Sequence, residues 1–272
     1  MKPEVFEFFA RLVQDESGIA LTKDKVYLLE NRLGELARTL GLANVDALYL
    51  EARRRLSPRL KDQIVDAMTT NETYFFRDQA PFDALRQHII PELLEERKTQ
   101  KSLRFWSAAC STGQEPYSIA MILLEHFPQI VASWRIEILA TDISTQALEK
   151  AKSGRYSQVE VNRGLPVTLL VKYFKQKGAH WEIDEKLKRM VTFKKMNLKE
   201  RFPPMGPFDV VFCRYVLIYF APETKREILG RLEKVIAPKG YLFLGATETP
   251  MGLSKRFVKR VFGRATCYQL VN

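Results

Sequence analysis

Glu115 and Asp142 are the side chains whose placement in this sequence most clearly suggests chemistry. Glu115 follows an apolar run, Leu103 to Trp106, and then a string of small residues, Ser107-Ala108-Ala109-Cys110-Ser111-Thr112-Gly113. It opens the helical pattern continued by Pro116-Tyr117-Ser118-Ile119-Ala120-Met121. The order is strand, tight loop, helix. In an open α/β sheet the crevice beyond the first strand's carboxyl end takes nucleotide-like ligands, because small loop residues let backbone N–H groups and a helix start come close. The loop lacks G-x-G-x-x-G spacing, and its acid would repel a pyrophosphate, so Glu115 points to a ligand with a cationic end. Taken alone, such a loop reads as a small-residue turn between a buried strand and a helix. The second strand shifts that balance: Arg135 to Thr141 ends in Asp142, placed to accept hydrogen bonds from a ribose diol. One acid for an amino group and one for a ribose describe S-adenosylmethionine better than NAD.

Several elements must position these residues. Val5, Phe6, Phe9, Leu12 and Val13 share a helical face that Ser17-Gly18-Ile19 breaks, and Thr22 is predicted to cap a second helix carrying Leu29, Leu33, Leu36 and Leu40. Asn44 and Ser57 are predicted to cap two more, with Pro58 opening the last. Thr69 to Asp78 then loses helical periodicity, and three consecutive aromatics are predicted to hold it against a sheet with Asn71, Thr73 and Arg77 facing a ligand. A helix from Ala80 to about Arg97 leads to the first strand. After the second strand come a helix from Thr145 to Lys152, another from Leu165 to Tyr173, and a hairpin from Phe174 to Ile183 turning near Gly178. Val191 to Phe193 reads as a returning strand, Phe208 to Cys213 as a strand buried on both faces, and Glu223 to Ile236 as a helix. Pro238-Lys239-Gly240 reads as a turn, Tyr241 to Gly245 as a strand, and Phe257 to Val271 as a hairpin around Gly263.

The fold class is therefore α/β, a doubly wound and mostly parallel sheet with a small all-helical N-terminal domain and a β-hairpin subdomain insertion. The expected divisions are a helical unit at residues 1–70, a linker at 71–79 contributing to the ligand site, and an α/β domain at 80–272 with its β-subdomain at about 160–195.

Composition narrows the class. The chain has 272 residues, 46% of them hydrophobic, and no apolar stretch long enough to span a bilayer, so a soluble globular protein without membrane insertion is expected. No signal peptide is read at its start, and three scattered cysteines without a C-x-x-C pair suit a reducing cytoplasm. Three histidines without an i,i+4 pair give no metal site. Residues 1–70 hold 11 basic and 11 acidic side chains, so the whole net charge of +11 lies beyond them and attracts acidic partners.

Five stretches in this order, Asn71 to Arg77, Ser107 to Met121, Ala140 to Ser144, Met196-Asn197-Leu198 and Phe208 to Phe220, together resemble the chemotaxis receptor glutamate O-methyltransferase family, the CheR type. The likeness covers nearly the whole chain, including the helical unit. It implies a methyltransferase-type, Rossmann-like sheet, and a helical unit that docks on the receptor or covers the cofactor. It also implies S-adenosylmethionine as methyl donor, S-adenosylhomocysteine as product, and methylation of glutamate side chains on the cytoplasmic helical part of chemoreceptors for adaptation in bacterial chemotaxis. Carried over motif by motif, Asn71, Thr73 and Arg77 line the cofactor site, Glu115 meets the methionyl amino group, Asp142 the ribose, and Asn197 with Leu198 the adenine. Arg214 and Tyr215 complete the pocket. The family commonly reads Cys-Arg-Asn-Val where this chain has Cys213-Arg214-Tyr215-Val216, and a tyrosine cannot offer an amide's paired donor and acceptor.

A glutamate carboxylate is already nucleophilic at neutral pH, so the chemistry needs no general base, only in-line positioning and removal of water. The catalytic candidates are Arg77, whose guanidinium matches a carboxylate bidentately, and Tyr219 as a weaker second contact. The alternatives are a receptor-binding scaffold that holds the cofactor without turnover and a nucleic-acid methyltransferase. Cys213-Arg214-Tyr215-Val216 is unlike the Asn/Asp-Pro-Pro-aromatic stretch of base N-methylation, so no nucleic-acid partner is expected. The hairpin offers only Gly178 at its turn, which predicts no tether to a receptor-tail peptide; docking then falls to the Arg53 to Lys61 corner and the basic catalytic face.

Overall fold

The computed structural model describes residues 1–271. Its first four helices are α1 (Pro3–Ser17), α2 (Val26–Thr39), α3 (Val45–Arg54) and α4 (Pro58–Met68). Their apolar stripes meet in one core, with Phe9, Val13, Leu29, Leu33, Leu48 and Ile64 fully buried. The Asn44 and Ser57 side chains accept from Ala47 N at 3.0 Å and Leu60 N at 3.1 Å, satisfying free amides at the starts of α3 and α4. The Thr22 side chain does not cap α2, because a 3₁₀ turn, Lys23–Lys25, intervenes and α2 starts only at Val26.

The second unit begins with α5 (Ala80–Ala84) and α6 (Ile90–Glu96), joined by a π-turn at Leu85–Ile89. Next come β1 (Ser102–Ala108), α7 (Gln114–His126), α8 (Pro128–Ser133), β2 (Arg135–Asp142) and α9 (Thr145–Ser153). A small subdomain follows: β3 (Arg155–Ser157), α10 (Gln158–Asn162), α11 (Val167–Tyr173), β4 (Phe174–Lys177), β5 (His180–Ile183) and α12 (Glu185–Met190). The chain closes with β6 (Val191–Lys195), β7 (Phe208–Cys213), α13 (Pro222–Val235), β8 (Ile236–Leu244), β9 (Phe257–Phe262) and β10 (Ala265–Leu270).

The main sheet has seven strands in the order β6-β2-β1-β7-β8-β10-β9. The first five are parallel, and β10 and β9 add antiparallel at one edge. From β1 the chain winds outward through β2 to β6 and then crosses back to β7 on the other side of β1. Loops after β1 and β7 therefore diverge, leaving a crevice at the strands' carboxyl ends. All six residues of β7 are buried, as its near-continuous apolar run requires for a strand covered on both faces, and its one charge, Asp209, is held by Arg97.

Three local expectations are corrected. The small sheet, β3-β5-β4, takes in Arg155–Ser157 through antiparallel pairing with β5, so the subdomain starts before residue 160; β6 pairs with β2 in the main sheet and lies outside it. Pro238-Lys239-Gly240 does not separate a helix from a strand: β8 starts directly at Ile236, and these residues form a bulge, with Lys239 at φ 62°, between the pairs Phe208–Ile236 and Val210–Tyr241. The linker's aromatics reach less for the sheet than for the subdomain. Phe75, fully buried, meets Tyr156 and Phe174 edge-on at 5.1 and 5.6 Å, while Phe76 reaches the sheet only through Phe82, which stacks on Phe212.

Candidate active site

The cleft at the carboxyl ends of the parallel strands brings together all ten residues singled out in the sequence. Asn71, Thr73, Arg77, Glu115, Asp142, Asn197, Leu198, Arg214, Tyr215 and Tyr219 all line it, with Ser17 and Ile19 of the helical unit closing one side. Counted out to its open mouth, the cleft holds about 860 Å³, within the usual range for a site that takes a molecule of cofactor size.

Glu115 sits in the first turn of α7, where the helix dipole favours a negative charge. Its carboxylate accepts from Ser107 Oγ at 2.7 Å and from Arg214 Nη1 at 3.2 Å. Burial raises its pKa, and Arg214 and Ser107 pull against that rise. Gly113, at φ 92°, lets the loop press on α9, since a Cβ there would lie 2.9 Å from Ala151 Cβ. Asp142, at the end of β2, accepts Ser111 N and Ser144 N at 2.8 Å each. Burial likewise raises its pKa against the pull of those amides. Two backbone bonds leave roughly two of a carboxylate's four lone-pair positions for a ligand diol.

Arg214 is the hub of the opposite wall. Besides Glu115, its Nη2 donates to Arg77 O at 3.0 Å and to Asp78 Oδ2. Its side chain is 2% exposed, yet Nε has no partner, a buried donor that an anionic ligand group could take. Tyr215 does more than pack: its hydroxyl donates to Asp78, and the Arg77 guanidinium lies 3.9 Å from its ring centroid. Arg77 Nη1 donates to Glu72 O at 2.7 Å, and among the described residues Arg77 forms no ion pair, the adjacent Asp78 being bound to Arg214 instead. The Tyr219 hydroxyl likewise bonds to no described residue, while its carbonyl accepts Ala20 N at 3.1 Å.

Strain concentrates here. Phe76, Asp78, Gln79, Ala109, Ser111 and Tyr215 all have positive φ, at about 1–2 kcal/mol each for residues with a Cβ. Such a cluster persists because the loops around it are over-determined. Glu248 is one reason, a residue the sequence reading missed. It accepts Tyr215 N, Ile218 N and Gly245 N at 2.7, 3.1 and 2.6 Å, tying the loop after β7 to the end of β8. Nothing in Gly-Ala-Thr-Glu-Thr-Pro signals this, because the donors are supplied by folding. Asp78, the partner of Arg214 and Tyr215, is likewise absent from the residues singled out in the sequence.

At the other end of the cleft Asn197 departs from expectation. Its Nδ2 donates to Glu16 O at 2.6 Å and its Oδ1 accepts Lys199 N at 3.0 Å, so both ends of the amide are engaged within the chain. Lys199 Nζ adds bonds to Gln14 O, at 3.0 Å, and Asp15 O. Together they satisfy carbonyls at the C-terminal end of α1, where a cation also suits the helix dipole. Among the described residues no group of His, Cys, Asp or Glu is arranged to hold a metal, and no helix is long and apolar enough to cross a membrane.

The formal charges of the cleft-lining Glu72, Arg77, Glu115, Asp142 and Arg214 sum to one negative charge, which complements a singly cationic ligand. Comparison with known families agrees with that chemistry. Residues 4–69 match the CheR methyltransferase all-alpha domain, and residues 71–264 match the CheR methyltransferase SAM binding domain. The chain is 40% identical over 255 residues to the chemotaxis protein methyltransferase Cher2 of Pseudomonas putida, covering 93% of this chain and 92% of that one. It is 42% identical to chemotaxis protein methyltransferase 1 of Pseudomonas aeruginosa, covering 89% of each chain, and 39% identical to the chemotaxis protein methyltransferase of Vibrio parahaemolyticus, covering 92% of this chain and 90% of that one. With both domains matched in order and the cleft built from the motif residues, the chain belongs to the CheR methyltransferase family and is an S-adenosylmethionine-dependent methyltransferase of chemotaxis.

Proposed function

We propose that this enzyme methylates glutamate side-chain carboxylates on the helical cytoplasmic part of chemoreceptors, acting in the cytoplasm and forming 5-O-methyl esters. The observation that carries this reading is Arg77, a guanidinium lining the cofactor cleft with no carboxylate partner among the described residues, in the same cleft as a Tyr219 hydroxyl that bonds to no described residue. Bound in the cleft, S-adenosylmethionine supplies a methyl group already activated by its sulfonium. The protein's part is placement. Glu115, held by Arg214 and Ser107, takes the amino group, and Arg214 Nε is a ready donor for the adjoining carboxylate. Asp142 takes the ribose hydroxyls. With its side chain engaged by α1, Asn197 meets the adenine through its backbone, beside Leu198. Asn71 and Thr73 line the wall contributed by the linker, and Arg77 with Tyr219 orients the incoming carboxylate. Arg77 must hold that anion loosely, because stabilising the ground state more than the transition state slows transfer.

The hairpin favours docking without a tail-peptide tether. Gly178, at φ 60°, and Ala179 make a two-residue turn between paired Lys177 and His180, and Trp181 Nε1 donates to Gln158 Oε1 at 2.8 Å. Arg53, Arg54, Arg55 and Arg59 are exposed and available to acidic receptor helices, whereas Lys61 pairs with Glu16 at 2.9 Å. Methyl transfer from labelled S-adenosylmethionine to receptor fragment, RNA and DNA in parallel tests the reading: base-labile label on the receptor alone is expected. Label on nucleic acid overturns the substrate, and cofactor binding with no transfer to any of the three makes the protein a scaffold.

A further inference from the structure

Position 215 carries an aromatic residue in a backbone conformation that suits one poorly. Its φ is 57°, in the left-handed region where asparagine is at ease and a bulky side chain is not. The ring also demands its surroundings: a Cβ at Gly245 would meet Tyr215 Cδ1 at 2.8 Å, so a glycine is required beneath it. A ring kept under those conditions should do something an asparagine could not, and two contacts show what. Its face lies 3.9 Å from the Arg77 guanidinium carbon, close enough for a cation–π contact. Its hydroxyl donates to Asp78, the carboxylate adjacent to Arg77 in sequence.

We propose that Tyr215 is a positioning residue that keeps Arg77 available to the substrate carboxylate, holding its guanidinium by the ring and keeping Asp78 engaged by the hydroxyl. The inference rests on the reading of Arg77 given above. Asp78 has two donors to satisfy it, Tyr215 Oη and Arg214 Nη2, and both lie on the loop after β7. Bound to them, it forms no ion pair with Arg77 among the described residues. Arg77 is left with a single backbone acceptor, Glu72 O at 2.7 Å, and with the ring as its other support; the Tyr74 ring is more distant, at 5.7 Å. A π-face steadies a guanidinium without taking up its in-plane N–H donors, so the fork stays open for a carboxylate in a way that an ion pair would not allow.

The test is a double-mutant cycle on Arg77 and Tyr215, read as kcat and KM for a receptor fragment, S-adenosylmethionine affinity by calorimetry, and thermal stability. Tyr215→Asn is expected to lower kcat/KM for the receptor, read at saturating S-adenosylmethionine, by about tenfold, the size of a partly desolvated cation–π contact, while Tm holds or rises as the left-handed backbone is relieved. Tyr215→Phe keeps the ring and frees Asp78, so its loss should be smaller. Adding Tyr215→Asn to Arg77→Ala should cost nothing further, because the tyrosine acts through the arginine. If Tyr215→Asn leaves kcat/KM unchanged, or if its loss simply adds to a large loss from Arg77→Ala, the inference fails and the Arg77 reading survives. If Arg77→Ala is itself without effect on receptor methylation, the Arg77 reading fails and this inference with it.

Discussion

At the Arg214 end of the cleft, charged side chains cross between loops of a single unit; at the Asn197 end, the closing wall belongs to a different unit of the chain. The first end joins Glu115, Arg214, Asp78, Tyr215 and Arg77 in a run of buried and half-buried polar contacts, with strained backbone on both sides. The second presses the C-terminal carbonyls of α1 onto the loop after β6 through Asn197 and Lys199, aided at the domain boundary by Lys195–Asp62 at 2.7 Å and Thr145 N to Asp66 at 3.1 Å. Charges buried together resist rearrangement, because separating them leaves an uncompensated charge in a poor solvent. Exposed helix-end contacts open more cheaply. The difference predicts that the first end keeps its geometry while the end that two units share opens first.

Breaking the rigid end should have the largest consequence. Arg214→Met strands Glu115 and Asp78 and is expected to cost about 3–5 kcal/mol in urea unfolding, with activity lost as well; a change below about 1 kcal/mol would show that the charged cluster carries no structural weight. Asp142→Ala comes next. It is expected to weaken S-adenosylmethionine binding by about 1–3 kcal/mol through loss of a charged acceptor, and unchanged affinity in calorimetry would remove the ribose assignment.

The shared end should respond less and elsewhere. Lys199→Met is expected to cost about 0.3–1 kcal/mol, the worth of a cation at a helix C-terminus, seen as faster hydrogen exchange at Gln14 to Ser17 with kcat at saturating cofactor preserved. Protection that stays as in the unaltered protein would mean Lys199 carries no weight at the boundary. The smallest effect concerns Asp66, whose pKa is raised by burial against the pull of backbone amides at the start of α9, Ser144 and Lys195. A raised folded pKa means its contribution is fully present below the ordinary value of 3.8 and is lost as pH rises through the folded value. The Tm advantage of the unaltered protein over Asp66→Asn should therefore shrink from acidic to neutral buffer, and an advantage that grows would contradict the shift.

Much of this was legible in the residues because the determinants are local. Asn44 and Ser57 accept amides three residues on, the run from Phe208 to Cys213 is buried because five of its six residues are apolar and Asp209 is held by Arg97, and Glu115 and Asp142 follow their strands within the same segment. Those features depend on propensity and periodicity, which a sequence states directly. Asn71, Thr73, Arg77, Glu115 and Asp142 could be named from their own segments, whereas Asn197, Leu198, Arg214, Tyr215 and Tyr219 came with the family resemblance. What each side chain does there was decided by residues far away in the chain. Arg214 meets Glu115 99 positions away and Asp78 136 positions away, and Lys199 reaches α1 across 185. The amide of Asn197 went to Glu16 rather than to the cleft, and Tyr215 gained a cation and a carboxylate that its neighbours in sequence do not foretell. Composition fixes which groups can donate, accept or carry charge, but a hydrogen bond or ion pair forms only within a few ångströms, and only the folded chain sets those distances.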